Sequence, residues 1–291
     1  MTAGFPSATL WAAHPIRKVE FMAEETFDDG ARQVVVDTSV PHSARIFNYW
    51  IGGKDNYEPD RTASARFQQV FPEIVDLARS GRHFLRRVVG HLAGEAGVRQ
   101  FLDIGTGLPT ADNTHEVAQR IAPESRIVYV DNDKLVLAHA RGLLTSTREG
   151  ATAYIDADVE DPEAILAGAA RTLDLDRPVA VILMGILAHV DGYEQARSVV
   201  RRLMDPLPPG SYLAIRDGVE GNEKYSRAIA GYNASGAVPY HLRSAEQIAG
   251  YLDGLEPVEP GVVSCPMWRP EPVEVGSPVE MAVLGGVGRK P

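Results

Sequence analysis

Residues 101–107, which read Phe-Leu-Asp-Ile-Gly-Thr-Gly, form an apolar segment that ends in a carboxylate and two glycines. Glycines at this spacing let the first strand of a doubly wound sheet turn tightly and bring backbone N–H groups against a ligand. A dinucleotide site uses a third glycine three residues further on, and that position is Thr110. Asp103 suits a cationic ligand and repels a pyrophosphate. The loop therefore favours S-adenosylmethionine, which carries an ammonium and a sulfonium, over NAD.

Two further acids follow the next two apolar segments. Asp131 closes the first of them and lies 131 − 107 = 24 residues after the second glycine. In a βαβ unit, an acid at about this offset ends the second strand and accepts hydrogen bonds from ribose hydroxyls. Asp158 is predicted to accept from the adenine amino group, while the Val159 N–H donates to the ring. Asp156 is the alternative to Asp158 at this strand end, and we prefer Asp158.

A second block of polar and aromatic side chains, residues 41–61, precedes this domain. Pro41 suits the first turn of a helix and Gly52-Gly53 supplies its stop, so one interpretation is a capped helix followed by a turn. A turn does not require this density of aromatic and charged groups, and the alternative is a lid over the methionine end of the donor. The residues that the lid is predicted to contribute are Asn48, Tyr49, Lys54 and Tyr57.

The same block resembles the signature of an actinobacterial family of S-adenosylmethionine-dependent methyltransferases, once described as a domain of unknown function. The similarity rests on Pro-His-Ser-Ala-Arg-Ile-Phe-Asn-Tyr-Trp-Ile-Gly-Gly-Lys-Asp-Asn-Tyr-Glu-Pro-Asp-Arg at 41–61, Arg-Gln-Phe-Leu-Asp-Ile-Gly-Thr-Gly-Leu-Pro-Thr at 99–110, Thr-His-Glu-Val-Ala-Gln at 114–119 and Val-Tyr-Val-Asp-Asn-Asp at 128–133. It covers roughly residues 37–287. The resemblance implies a class I methyltransferase fold, which is an α/β fold with a Rossmann-like, seven-stranded, mostly parallel sheet, and S-adenosyl-L-methionine as the cofactor. Gly81 departs from the pattern, where Asn is expected, so no contact from a side chain is expected there.

In class I methyltransferases the acceptor and the methyl group meet after the central strand, which here is 178–184. Met184 and Gly185 are predicted to line the donor through their backbone. His189 has two interpretations, a general base that takes a proton from an O or N acceptor or a structural histidine that holds its loop, and we favour the second. The predicted acceptor contacts, beyond the fifth strand, are Tyr232, Tyr240 and His241. The donor-binding residues predicted from this domain are Asp103, Gly105, Thr106, Gly107, Asp131, Asn132, Asp158, Val159, Met184 and Gly185.

Strands alternate with helices from residue 99 to residue 216, which predicts five parallel strands in an α/β domain. Strands at about 256–265 and 278–286 are predicted to end the sheet as an antiparallel pair. The predicted regions are a poorly ordered extension at 1–36, in which Met22 is an alternative start, a helical lid at 37–95 and a donor-binding domain at 96–291.

Composition narrows the classes of function. The net charge of −10 over 291 residues disfavours nucleic acid as a partner, because phosphate binding needs a basic surface. The single Cys265 excludes an internal disulfide, and the sequence shows no cluster of metal ligands, so no metal is expected. No apolar run approaches about 18 residues and no export signal is seen. These features predict a cytoplasmic protein that does not contact a membrane.

The sequence is thus interpreted as that of a methyltransferase that uses S-adenosylmethionine and acts on a small molecule. One rival interpretation is a donor-binding protein without catalysis, which acts as a sensor or partner. A less favoured rival is a nicotinamide-dependent oxidoreductase, which would need the missing third glycine. The methyl acceptor and the oligomeric state are left open.

Overall fold

The computed structural model describes residues 24–28, 33–143, 145–271 and 279–291. The strands in these ranges are β1 (Glu24–Asp28), β2 (Gln33–Asp37), β3 (Gln100–Ile104), β4 (Arg126–Asp131), β5 (Ala151–Asp156), β6 (Ala180–Met184), β7 (Tyr212–Gly218), β8 (Glu256–Pro257), β9 (Val263–Ser264) and β10 (Val283–Arg289). The helices are α1 (Ser43–Trp50), α2 (Glu58–Val70), α3 (Ile74–Gly94), α4 (Thr114–Ile121), α5 (Lys134–Leu143), α6 (Pro162–Ala169), α7 (Tyr193–Met204), α8 (Glu223–Asn233) and α9 (Ala245–Gly250). Single turns of 3₁₀ helix span Leu187–His189 and Cys265–Met267.

The central sheet has the strand order β5-β4-β3-β6-β7-β10-β8, and β9 also pairs with β10. The first five strands are parallel, whereas β10 runs antiparallel to β7, β8 and β9. From β3 the chain adds β4 and then β5 on one side. It then returns to the other side of β3, where it adds β6 and then β7. Parallel sheets of this kind bind ligands at such a reversal, outside the carboxyl ends of the strands. The fold predicted from the sequence is confirmed, because this is a Rossmann-like α/β fold with a mostly parallel sheet.

Helices cover both faces of the sheet, since parallel strands are buried on both sides. On one face, α3 packs Phe84, Val88 and Leu92 against the sheet, at the spacing of one helical face. The other face carries α6, α7 and α9 over an apolar cluster that includes Leu102 and Val181. Successive residues of a strand thus enter different layers of the core.

The C-terminal end of the sheet differs in detail from the prediction. The predicted strand 256–265 is split into β8 and β9, and β10 begins at Val283 rather than at about 278. Pro260 interrupts the first of these strands because proline has no N–H to donate to the sheet. The predicted antiparallel pairing is nevertheless present, with Leu284 opposite Ser264.

The N-terminal region contains an element that the sequence did not predict, an antiparallel hairpin of β1 and β2. The sequence predicts poor order for residues 1–36. Of these, residues 1–23 and 29–32, which include the alternative start Met22, lie outside the described part of the chain. Within the described ranges, no helix is long and apolar enough to cross a membrane. The same ranges contain no group of three or more His, Cys, Asp or Glu side chains that could hold a metal ion.

Candidate functional site

A cavity of about 340 Å³ lies at the carboxyl ends of the parallel strands. The ends of β3, β4, β6 and β7 form its floor, and α1, α2, α3 and α8 contribute its walls and roof. The sequence-predicted residues that line it are Asp103, Gly105, Thr106, Gly107, Asp131, Asn132, Asp158, Val159, Met184, Gly185, His189, Tyr232 and Tyr240. Residues from distant parts of the chain thus meet where the strand order reverses.

The loop after β3 depends on both of its glycines. Gly105 and Gly107 have φ angles of +72° and +66°, in the left-handed region that L side chains rarely adopt. A Cβ atom at Gly105 would also lie 2.6 Å from the Cβ of Ile186. Thr106 fixes the turn because its Oγ1 donates to a backbone carbonyl, with the Asp103 oxygen at 3.1 Å. The sequence Gly-Thr-Gly therefore brings the backbone up to the edge of the cavity without side chains in between.

Asp131 joins this loop to the end of β4. Its Oδ2 accepts a hydrogen bond from the Gly107 N–H at 2.9 Å, and its Oδ1 accepts one from the Asp133 N–H at 2.9 Å. Burial raises the pKa of Asp131, and these two hydrogen bonds oppose the shift. A carboxylate oxygen can accept more than one hydrogen bond. Asp131 therefore positions the loop and still has acceptor capacity toward the cavity.

Asp103 is the most buried carboxyl group of the cavity, with 5% of its surface exposed. Burial raises its pKa to about 6, while the hydrogen bond from Thr114 and the positive charge of Arg82 oppose the shift. The Thr114 Oγ1 donates to Asp103 Oδ2 over 2.6 Å. A cation placed beside Asp103 would stabilise its ionised form.

Asn132, Asp158 and Val159 lie at the outer end of the cavity. Asn132 Nδ2 donates to Asp158 Oδ2 at 3.0 Å, and the Glu160 N–H donates to Asp158 Oδ1 at 2.9 Å. Asp158 lines the cavity, whereas Asp156 does not. The Asp158 carboxylate thus stabilises the turn that follows it, through the Glu160 N–H, and also faces the cavity.

The block at 41–61 does cover the cavity, but through other side chains than those predicted. The α1 residues that line it are His42, Ser43, Ala44, Ile46, Phe47 and Trp50. These lie at intervals of three and four, which place them on one helical face. His42 Nδ1 accepts from the Ala44 N–H at 3.3 Å, which caps α1, and lies 3.0 Å from Asp133 Oδ2.

The four predicted lid residues do not line the cavity. Asn48 is buried and its Oδ1 accepts from the Asp55 N–H at 3.1 Å and from Asn56 Nδ2 at 3.0 Å, which holds the following turn. Tyr49 and Lys54 are exposed. The Tyr57 ring packs under the guanidinium of Arg45, 5.4 Å from its carbon. The composition of the segment does not show which face of α1 points toward the cavity.

His189 is half-buried at the edge of the cavity, and its Nδ1 lies 2.8 Å from the Pro239 carbonyl oxygen. A carbonyl can only accept, so Nδ1 carries the proton and Nε2 keeps the lone pair. Burial lowers the pKa of His189. Its ring meets that of Tyr240 edge-on, with centroids 5.2 Å apart. His189 thus holds together two loops beside the cavity.

The three predicted acceptor contacts divide into two groups. Tyr232 and Tyr240 line the cavity; the Tyr232 hydroxyl donates to the Val238 carbonyl at 3.0 Å, and the Tyr240 hydroxyl accepts from the Gly218 N–H at 3.1 Å. His241 does not line the cavity, and its Nε2 lies 3.8 Å from Asp191. Because His241 follows Tyr240 directly in an extended segment, its side chain points to the other side.

Sequence reasoning missed several lining residues, of which Arg82 and Arg216 carry permanent charge. Arg216 had a visible signal, since it is a charged residue that directly follows the apolar run 212–215 within β7. Arg82 has no such signal, because a charged residue at helical spacing usually belongs to a solvated helix face. The remaining missed residues are mostly apolar, and their helical spacing resembled that of ordinary core positions.

Comparisons with known proteins agree with this architecture. Residues 29–291 match the model of a family described as S-adenosyl methyltransferase. A structure of a DUF574 family protein from Streptomyces avermitilis is 45% identical over 88% of this chain and 99% of its own, with a TM-score of 0.83. A candidate methyltransferase from Thermobifida fusca is 40% identical over 87% of this chain and 96% of its own, with a TM-score of 0.80. No curated protein matches the sequence.

Proposed function

Since the chain belongs to the S-adenosyl methyltransferase family, we propose that it transfers a methyl group from S-adenosylmethionine to a small molecule bound in the described cavity. The observation that carries this proposal is that the glycine loop, the strand-end acids and the inner face of α1 line one cavity. Its volume of about 340 Å³ falls in the range of small-molecule sites. The cover of helices and the net charge of −10 both disfavour a polymeric acceptor such as nucleic acid.

We place the donor along the strand ends in the order of the acids. The Val159 N–H and Asp158 are assigned to adenine, and Asp131 with Asn132 to the ribose. Asp103 and the glycine loop take the amino-acid end, where the ammonium would restore the ionised form of a carboxyl whose pKa burial raises to about 6. Met184 and Gly185 complete the wall beside the sulfur.

The donor supplies an electrophilic methyl group, and transfer is an in-line displacement that breaks the S–CH₃ bond and leaves a neutral thioether. The protein must align the acceptor with that bond and exclude water. The inner face of α1, with Phe47 and Trp50, supplies an apolar cover, and Tyr232 and Tyr240 lie on the acceptor side. An O or N acceptor also releases a proton. We assign His189 a positioning role in this step, because its hydrogen bond to Pro239 holds the loop that carries it.

The proposal is tested with donor labelled in the methyl group and an extract of small metabolites depleted of protein and nucleic acid. The purified protein is expected to place label in the small-molecule fraction, and the Asp131→Ala variant is expected to place much less there. A folded protein that binds the donor and yields label only in added protein or nucleic acid would contradict the small-molecule acceptor. Donor binding without any transfer would favour the alternative of a sensor without catalysis.

A further inference from the structure

Arg216 lies near the carboxyl end of β7, in register with Met184 of β6, and lines the cavity. Only 8% of its surface is exposed. Its Nε has no hydrogen-bond partner in the described part of the chain. None of the ion pairs found among the described residues includes it. Its guanidinium does interact with the thiol of Cys265, but a buried guanidinium without a carboxylate is costly, because burial removes its hydration.

The neighbours of Arg216 cannot neutralise it at neutral pH. Burial raises the pKa of Tyr225 and of Cys265 to about 12 and that of Tyr240 well above its usual value, so all three are uncharged. Asp217 is adjacent in sequence but points to the opposite face of β7. Burial also raises the pKa of Asp217 to about 7, so it is only partly ionised.

Two glycines leave the space that the guanidinium occupies. A Cβ atom at Gly81 of α3 would lie 3.0 Å from Arg216 Nε and 3.1 Å from its Cζ and Nη2. A Cβ atom at Gly185 would lie 3.1 Å from Nη1. Glycine inside a helix costs about 1 kcal/mol relative to alanine. Gly81 is thus a weak helix former at the point where α3 passes over the guanidinium of Arg216.

Arg216 lies beyond the proposed donor. On the sheet, the proposed donor contacts end at Met184 and Gly185, at the carboxyl end of β6, and β7 is the next strand, about 5 Å further along at the usual strand spacing. The other cavity arginine, Arg82, is close enough to Asp103 to oppose the rise in its pKa, and so lies on the donor's side. The aromatic neighbours of Arg216 are instead Tyr225 and Tyr240, and the same cavity is also lined by Trp50, Phe67 and Tyr232.

We propose that Arg216 anchors a carboxylate of the methyl acceptor, and that the acceptor is a carboxylic acid with an apolar, preferably aromatic, body. This rests on the proposed function. The planar fork of a guanidinium matches a carboxylate in a bidentate pair. The apolar body of the acid lies against Trp50 and Phe67, whose rings are 5.0 Å apart. The indole Nε1 of Trp50 is a second buried donor without a partner in the described residues.

The test compares benzoate with benzamide, its uncharged isostere, by calorimetry on the full chain saturated with S-adenosylhomocysteine. We expect benzoate to bind about tenfold more tightly, since a charge-assisted bidentate pair is lost in the amide. Arg216→Met should remove that advantage and leave benzamide affinity unchanged. S-adenosylhomocysteine affinity should stay the same in this variant. A loss of that affinity would instead assign Arg216 to the donor's carboxylate and overturn the proposal.

A second pair of variants does not depend on the folding of Arg216→Met. Gly81→Ala strengthens α3 but places a methyl group against the guanidinium, whereas a Cβ atom at Gly90 of the same helix would meet nothing within 4 Å. Gly81→Ala should weaken benzoate binding several-fold and Gly90→Ala should not. Equal binding of benzoate and benzamide to the unchanged protein, or equal effects of the two alanine variants, would refute the anchor. Failure of S-adenosylhomocysteine to bind would refute the proposed function but not the anchor. In that case benzoate and benzamide can still be compared on the protein without S-adenosylhomocysteine.

Discussion

The backbone N–H of Gly107 donates a hydrogen bond to Asp131 Oδ2 over 2.9 Å, which ties the glycine loop after β3 to the end of β4. The two residues are 24 positions apart in sequence. Because the same carboxylate also accepts from the Asp133 N–H, it holds both loops that border the proposed ribose position. The geometry of the donor site therefore depends on one side chain.

Asp131→Ala should weaken donor binding by about 1–3 kcal/mol, because hydrogen bonds to a charged acceptor are lost and the glycine loop is released. Calorimetry with S-adenosylhomocysteine measures the effect. The matched control is Asp156→Ala, since Asp156 pairs with Asp131 in the sheet register but does not line the cavity. Equal affinities of the Asp131 variant and the unchanged protein would show that Asp131 does not contact the donor.

Donor affinity should depend on pH through Asp103, whose pKa burial raises to about 6. The ionised carboxylate attracts the donor's ammonium, so affinity should fall as the pH is lowered from 7 through about 6. The stability of the free protein should respond in the opposite direction. A carboxyl group whose folded-state pKa exceeds its unfolded value gains stability as the pH falls through the folded pKa.

This pH dependence is measured by calorimetry between pH 5 and pH 7, below the range in which the donor's amino group titrates. Asp103→Asn serves as the control because it retains the shape of the side chain and cannot ionise. The variant should bind the donor more weakly at pH 7 and with little change below it. A pH dependence that persists unchanged in Asp103→Asn would assign the titration to another group.

For His189, the hydrogen bond to Pro239 predicts a structural role. His189→Ala should lower the melting temperature, because it leaves the Pro239 carbonyl without its donor. His189→Asn places an amide N–H near the position of Nδ1 and should retain stability and most of the turnover. A stable, donor-binding His189→Asn protein with turnover lower by about 10²–10⁴ would instead identify His189 as a general base.

His42 should help to hold α1 over the cavity, because its Nδ1 caps the helix by accepting from the Ala44 N–H at 3.3 Å. His42→Ala should weaken S-adenosylhomocysteine binding by about 0.5–1 kcal/mol and speed amide hydrogen exchange in α1. Tyr49→Ala provides a control on the same helix, since Tyr49 is exposed and does not line the cavity. Equal exchange rates in the two variants would contradict a role of His42 in closing the lid.

The sequence predicted the parts of the site that depend on local rules. Gly105 and Gly107 are required by the tight turn that follows β3, and Asp131 by its place at the end of the next strand. Such features are readable because strand ends and their spacing are visible in one chain. The five parallel strands were predictable for the same reason, through the apolar runs that form them.

The parts that the sequence could not predict depend on contacts between distant segments. Which face of α1 points inward is decided by its packing on α2 and α3, so Phe47 and Trp50 rather than Asn48 and Tyr49 line the cavity. The space for Arg216 comes from Gly81 of α3, which lies 216 − 81 = 135 residues earlier in the sequence. Neither relation leaves a periodic pattern in the sequence.

A crystal structure of the protein with S-adenosylhomocysteine tests the central claim most directly. The account predicts the adenosine over Asp131, Asp158 and Val159, the homocysteine ammonium beside Asp103, and α1 closed over the ligand, with the side chain of Arg216 free of it. A ligand bound outside this cavity, or one whose carboxylate is held by Arg216, would contradict the account.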